Sequence, residues 1–138
     1  GGNPFIMEVA KPWKQQSLQE LPPFSDAAQW FQPWSWSPDG RKLAGVVQGA
    51  AGAGLGVGIY DLETQKFGRL TDLGAGPVWL RDSRRLILEQ QGKLYLLDSQ
   101  SKKLREIVAA APHRVSGAKI SPDDRTIYFI LNATEADI

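Results

Sequence analysis

Apolar and polar residues alternate in short runs along this chain, and each run ends in a cluster of turn-forming residues. Around Trp34-Ser35-Trp36-Ser37 the alternation is strict, with the two indoles on one side of a strand and the two hydroxyls on the other. Pro77 and Trp79 occupy the same places in a second run, and Ala118 and Ile120 in a third. Each is followed by a stretch rich in large apolar and β-branched residues: Leu43 to Val47, Leu86 to Glu89, and Ile127 to Leu131. Further strands are predicted at Val57 to Leu62 and Leu94 to Asp98. Shorter ones are predicted at Phe67 to Leu70 and Leu104 to Ile107. No stretch of a dozen residues carries a helical period. The pattern predicts an all-β chain.

The runs recur. Trp36-Ser-Pro-Asp-Gly-Arg-Lys-Leu43, Trp79-Leu-Arg-Asp-Ser-Arg-Arg-Leu86 and Ile120-Ser-Pro-Asp-Asp-Arg-Thr-Ile127 align without gaps, 43 and 41 residues apart. A period of a little over forty residues fits four short strands with their turns, the unit of a β-propeller blade. Asp39, Asp82 and Asp123 each stand three residues past the core position. Their carboxylates are expected to accept from backbone N–H groups two residues on and close an A–B hairpin. Even spacing of the three could suggest a calcium array, but the turn role accounts for each one. With strands named A to D, one blade is predicted over 34–72 and another over 77–108. Residues 3–21 read as strands C and D of a split blade, with Pro4 to Val9 and Gln15 to Leu21 as its strands. Residues 115–138 supply strands A and B, with Asn132 to Asp137 as a polar B–C loop and Ile138 opening the next strand. The expectation is a β-propeller fragment of about three four-stranded blades, its terminal blade split between the two ends.

Trp36-Ser37-Pro38-Asp39-Gly40-Arg41-Lys42-Leu43-Ala44 and Ile120-Ser121-Pro122-Asp123 resemble the WD-repeat-like propellers of the TolB family. Ile59-Tyr60-Asp61-Leu62 resembles that family's second element, Leu94-Tyr95-Leu96-Leu97-Asp98 is a looser version, and Glu135-Ala136-Asp137-Ile138 resembles the start of the same strand in the third blade. The second repeat departs from the pattern at Leu80, Arg81 and Ser83. Gln29-Trp30-Phe31-Gln32-Pro33-Trp34, leading into the repeat, resembles the propeller tail of bacterial serine/threonine protein kinases. That resemblance implies a sensor or interaction region belonging to a larger receptor-like kinase, in an extracytoplasmic setting. Two alternatives follow from the wider resemblance. One is a propeller that gates the hydrolase domain of a prolyl-oligopeptidase-type peptidase, and the other is a TolB-like periplasmic interaction domain. None of the three makes this segment itself an enzyme.

Composition narrows the chemistry. The 138 residues are 42% apolar and 22% charged, as in an ordinary globular domain, and a net charge of +1 gives no overall pull toward nucleic acid or membrane. Absence of cysteine excludes disulfides, thiolate metal sites and cysteine nucleophiles. No apolar run approaches the length needed to span a bilayer. His113 is the single histidine, which excludes multi-histidine metal sites. It follows no nucleophile-elbow motif, and no cofactor is expected. Gly49 to Gly58 fits neither a dinucleotide fingerprint nor a phosphate loop and reads as a B–C loop, six residues longer than its counterpart.

Strand parity sorts the connections. A–B and C–D turns share one end of the blades, and the longer B–C and D–A connections share the other. Binding is expected at the second end, where Trp30, Phe31, His113 and Arg114 are the candidate partner-binding residues. Trp30 and Phe31 have a competing role as plugs between neighbouring blades. The partner is expected to be a protein, a peptide or a small ligand. The tight-turn end gathers cations such as Arg41, Arg84, Arg85 and Arg125, diluted by Asp39, Glu63, Asp82 and Asp123. Finally, an arc with half a blade at each end predicts pairing of two copies into a six-bladed ring.

Overall fold

The computed structural model describes residues 2–24 and 28–133. Its strands, in chain order, are β1 (Phe5–Ile6), β2 (Gln19–Glu20), β3 (Trp30–Trp36), β4 (Lys42–Gln48), β5 (Gly54–Asp61) and β6 (Lys66–Arg69). They continue with β7 (Ala75–Trp79), β8 (Arg85–Gln90), β9 (Lys93–Asp98), β10 (Leu104–Val108), β11 (Arg114–Ile120) and β12 (Ile127–Asn132). Helical structure among the described residues amounts to single 3-10 turns at Trp13–Gln15 and Ala50–Gly52. Four antiparallel sheets result: β1-β2, β3-β4-β5-β6, β7-β8-β9-β10 and β11-β12. Each four-stranded sheet is an up-and-down meander with the strand order of a propeller blade.

The hairpin turns form as the repeat requires. Backbone N–H groups of Arg41, Arg84 and Arg125 each donate to the carboxylate two residues earlier, at 3.0 Å. Ser37 Oγ and Ser121 Oγ donate to Asp39 and Asp123 at 2.6 and 2.7 Å. The C–D turns use the same device. Asp61 accepts from the N–H groups of Glu63 and Thr64, and Asp98 from those of Gln100 and Ser101.

Apolar faces stack the sheets in chain order. Ile6 and Leu21 meet Phe31, Leu43, Tyr60 and Phe67 between the first and second sheets. Ala44, Val57 and Ile59 meet Trp79, Leu86, Leu88 and Leu97 between the second and third. Ile87 and Leu94 meet Val115, Ala118 and Ile120 between the third and fourth. The seams between the second and third sheets and between the third and fourth are also pinned by hydrogen bonds. Ser35 Oγ donates to the Pro77 carbonyl at 2.6 Å, and the Asp39 N–H donates to Ser83 Oγ at 3.0 Å. Across the next seam the Arg81 N–H donates to the Asp124 carboxylate at 3.0 Å, and the Gly117 N–H donates to Glu89 Oε1 at 2.5 Å.

The structure corrects three expectations. Trp30 and Phe31 open strand β3 and do not lie in a connection, because both pair with β4, opposite Gln48 and Val47. The glycine-rich stretch is a loop only to Ala53; from Gly54 it is strand β5, paired with β4 and β6. Glycine is required inside that strand at Gly56, where φ is +106° and a Cβ would fall 2.0 Å from the Thr71 carbonyl oxygen. Regular strand near the start of the chain is shorter than the alternation suggests, two residues each in β1 and β2. The segment Thr134 to Ile138, which carries the expected start of a further strand, lies outside the described residues.

Candidate functional site

At the end of the sheets where the B–C and D–A connections emerge, the third and fourth sheets part to leave a groove of about 450 Å³. One side is the entry to β7 (Leu73, Gly74, Ala75) and the β8–β9 turn (Glu89 to Gly92). The other is Arg114, Val115, Ser116 and Asn132. Gly92 sits directly beneath the Arg114 side chain, where a Cβ would come within 3.1 Å of its carbons, so the guanidinium lies over the turn. The Val115 N–H donates to the Gly92 carbonyl at 2.8 Å and holds β11 to that turn.

Polar groups in the groove are held in place. Asn132 Nδ2 donates to Ser116 Oγ at 2.8 Å and to the Arg114 carbonyl at 3.3 Å. Glu89 Oε1 is engaged by the N–H groups of Gly117 and Ala118, which ties it to the backbone and away from Arg114. Arg114 makes no ion pair among the described residues. The result is an exposed guanidinium beside an anchored amide and a hydroxyl, flanked by Leu73 and Val115. That set can grip a carboxylate through two parallel N–H donors and pack an apolar stem beside it.

The four residues singled out from sequence do not converge here. Arg114 lines this groove. His113 belongs to the preceding turn, where its N–H donates to the Ala110 carbonyl at 2.9 Å. Trp30 lies at a separate groove beside the first sheet, together with Asn3, Phe5, Gln32 and Gln48. Phe31 contributes to that groove and is also 3% exposed, with its ring set edge-on to Phe67 at 5.2 Å. It therefore plugs the seam between the first two sheets. Sequence reasoning overlooked Glu89 and Ser116, and placed Asn132 at this end only as part of a polar loop. Their signal is positional, since all three lie at strand ends that parity assigns to this end of the sheets.

At the opposite end three arginines are paired locally. Arg41 pairs with Glu63 at 2.5 Å, Arg84 with Asp98 at 2.8 Å, and Arg85 with Asp82 at 2.6 Å. The Arg84 hydrogen bond is the main cause holding the Asp98 carboxyl down at about 2. Hydrogen bonds from Ser37 and Ser121 lower Asp39 and Asp123, and the Thr64 N–H lowers Asp61. At Asp82 partial burial pushes upward, but hydrogen bonds from Arg85 and Arg84 outweigh it and the net shift is down. Among the described residues, no group of three or more histidine or acidic side chains is placed to hold a metal ion.

The architecture is that of a TolB-type propeller. A putative TolB from Agrobacterium tumefaciens superposes over 97% of this chain with a TM-score of 0.69 and 14% identity. TolB from Acinetobacter baumannii does so over 82%, with a TM-score of 0.64 and 16% identity. A prolyl endopeptidase matches 86% of the chain, with a TM-score of 0.60 and 16% identity. The chain spans 51%, 29% and 21% of those three proteins, respectively. No protein-family model matches it, and no curated protein matches it by sequence. The shared property is the fold.

Proposed function

We propose that this chain is a non-catalytic binding module that takes a peptide segment of a partner protein at the groove between the third and fourth sheets. The observation that carries the reading is Arg114, an exposed guanidinium without an ion-pair partner among the described residues, set beside the anchored Asn132 and Ser116. The groove is open and mostly apolar at its walls, with a few fixed polar groups, which suits an extended segment bearing an acidic side chain or a terminal carboxylate. The test is calorimetric titration with short peptides that are identical except for Asp, Asn or Lys at one position. The Asp peptide is expected to bind best, and Arg114→Ala to remove its advantage. Equal binding of all three peptides, or an unchanged preference in Arg114→Ala, rejects the groove.

In this reading the module serves a larger protein as its sensor or interaction region. The kinase-tail wording at Gln29 to Trp34 supports a receptor-like kinase as that parent. The likeness to a prolyl endopeptidase supports a second reading, a propeller that filters substrates for a neighbouring hydrolase domain. Sequence adjoining the 138 residues in the gene separates them: a kinase domain favours the first, and a G-x-S-x-G hydrolase favours the second.

A further inference from the structure

On the reading that the groove between the third and fourth sheets is the binding site, we infer that the segment it takes carries a cationic side chain beside its acidic one, and that Glu89 receives the cation. Glu89 and Arg114 stand on opposite walls of that groove, and among the described residues they are the only charged side chains lining it. Neither makes an ion pair among the described residues, with the other or with any neighbour. Their places are fixed separately. The Glu89 carboxyl lies over Gly76, where a Cβ would stand 3.4 Å from Oε1, and the Arg114 side chain lies over Gly92.

Glu89 has one oxygen to offer. Its Oε1 accepts from the N–H groups of Gly117 at 2.5 Å and Ala118 at 3.2 Å, which aligns the carboxylate on the backbone of β11. Its Oε2 takes part in no hydrogen bond or ion pair among the described residues. Asn132 Nδ2 donates to Ser116 Oγ and to the Arg114 carbonyl, so both amide hydrogens are in use and Oδ1 remains an acceptor. Ser116 Oγ accepts one of those bonds and keeps its own O–H to donate. The groove therefore presents donors at Arg114 and Ser116 and acceptors at Glu89 and Asn132. A purely acidic segment matches only the donors.

Water removal decides between the two kinds of segment. Glu89 is already half-buried, and a segment lying across the groove covers it further. An ionised carboxylate that loses water without gaining a counter-charge is costly, and a second carboxylate nearby adds repulsion. An ammonium or guanidinium on the segment offsets that cost, while a carboxylate on the same segment still meets Arg114. Side chains two residues apart on an extended segment share a face, about 7 Å from one another, so the two charges are expected at that spacing. Discrimination comes as much from the penalty on the wrong segment as from attraction to the right one.

Calorimetric titration with end-blocked peptides tests the pairing. All carry Asp at one position; one has Ala two residues away on both sides, and two others have Lys there, on the N-terminal or the C-terminal side. One of the Lys peptides is expected to bind about fivefold tighter than the Ala peptide, and Glu89→Gln is expected to abolish that advantage. Glutamine keeps Oε1 as the acceptor for Gly117 and Ala118, so the seam retains its bonds. The advantage is a ratio taken within each protein, and a general loss of affinity in the variant leaves it readable. No advantage from Lys on either side overturns the inference, as does an advantage that survives Glu89→Gln. If an Asp preference dependent on Arg114 persists in those cases, the groove stands and the role of Glu89 alone fails. If the Asp preference is itself absent, both fail.

Discussion

Trp79 and Trp36 occupy one position of a repeating unit and meet opposite surroundings. Around Trp79 the second sheet contributes Ala44, Val57 and Ile59, and the third contributes Leu86, Leu88 and Leu97. Around Trp36 a groove is lined by Leu21, Pro33, Trp34, Leu43 and the short β1 wall, and the residue is 49% exposed. The residue type, the strand position and the backbone hydrogen bonding of the following turn are the same in both. What differs is the neighbouring sheet. Position in the repeat therefore decides backbone and turn chemistry, whereas burial is conferred by the sheet next door.

The largest expected effect tests that contrast. Trp79→Ala should cost about 3–5 kcal/mol, as for a large aromatic removed from a packed interior. Trp36→Ala should cost well under half as much in dilute solution, measured by urea denaturation. Equal costs for the two at low concentration would break the comparison.

Next comes the polar pin of the following seam. Glu89→Ala strands the Gly117 and Ala118 N–H groups that now share Oε1, and should cost about 2 kcal/mol. A thermal melt showing no loss would mean that water replaces the carboxylate freely.

Acid should separate turns from seams. Asp39, Asp61, Asp98 and Asp123 titrate lower in the fold than a free aspartate, whose value is about 3.9. Their contribution is complete above that value and is lost as pH falls toward the folded values, about 2 for Asp98. Melting temperature should therefore be flat from neutrality to about pH 4 and drop below it. Asp98→Asn should flatten part of that drop. A melting temperature that falls between pH 7 and 5 would point to other groups. The smallest effect belongs to Glu63→Ala, which opens the exposed pair with Arg41 and should leave the melting temperature unchanged.

Local chemistry was readable from the residues alone. Ser37-Pro38-Asp39 and Ser121-Pro122-Asp123 specify their hairpins through contacts within two to five residues, and those contacts are found. Strand β5 was obscured at its start because Gly54, Gly56 and Gly58 carry no side chains to alternate. The β7 and β11 irregularities were also hidden, since Gly76 and Gly117 adopt positive φ where the pairing with β8 and β12 shifts. The groove was the least legible feature. Its walls come from around residues 74, 90, 115 and 132, joined by the curvature of the stack and by no local pattern. Of its polar members only Arg114 stood out, as a charged residue in a long connection.

Bracing between neighbouring turns has a geometric consequence. Two sheets joined at one point can turn about it in any direction; a second, separated joint leaves a single axis, and the packed apolar side chains of the seam block rotation about that axis. The second and third are tied by Ser35 to Pro77 and by Asp39 to Ser83, and the third and fourth by Glu89 to Gly117 and by Arg81 to Asp124. Each seam is thus a fixed wedge. The angle of that wedge, repeated, dictates how many sheets complete a full turn, so four hydrogen bonds in this arc help determine the circumference of any ring that contains it.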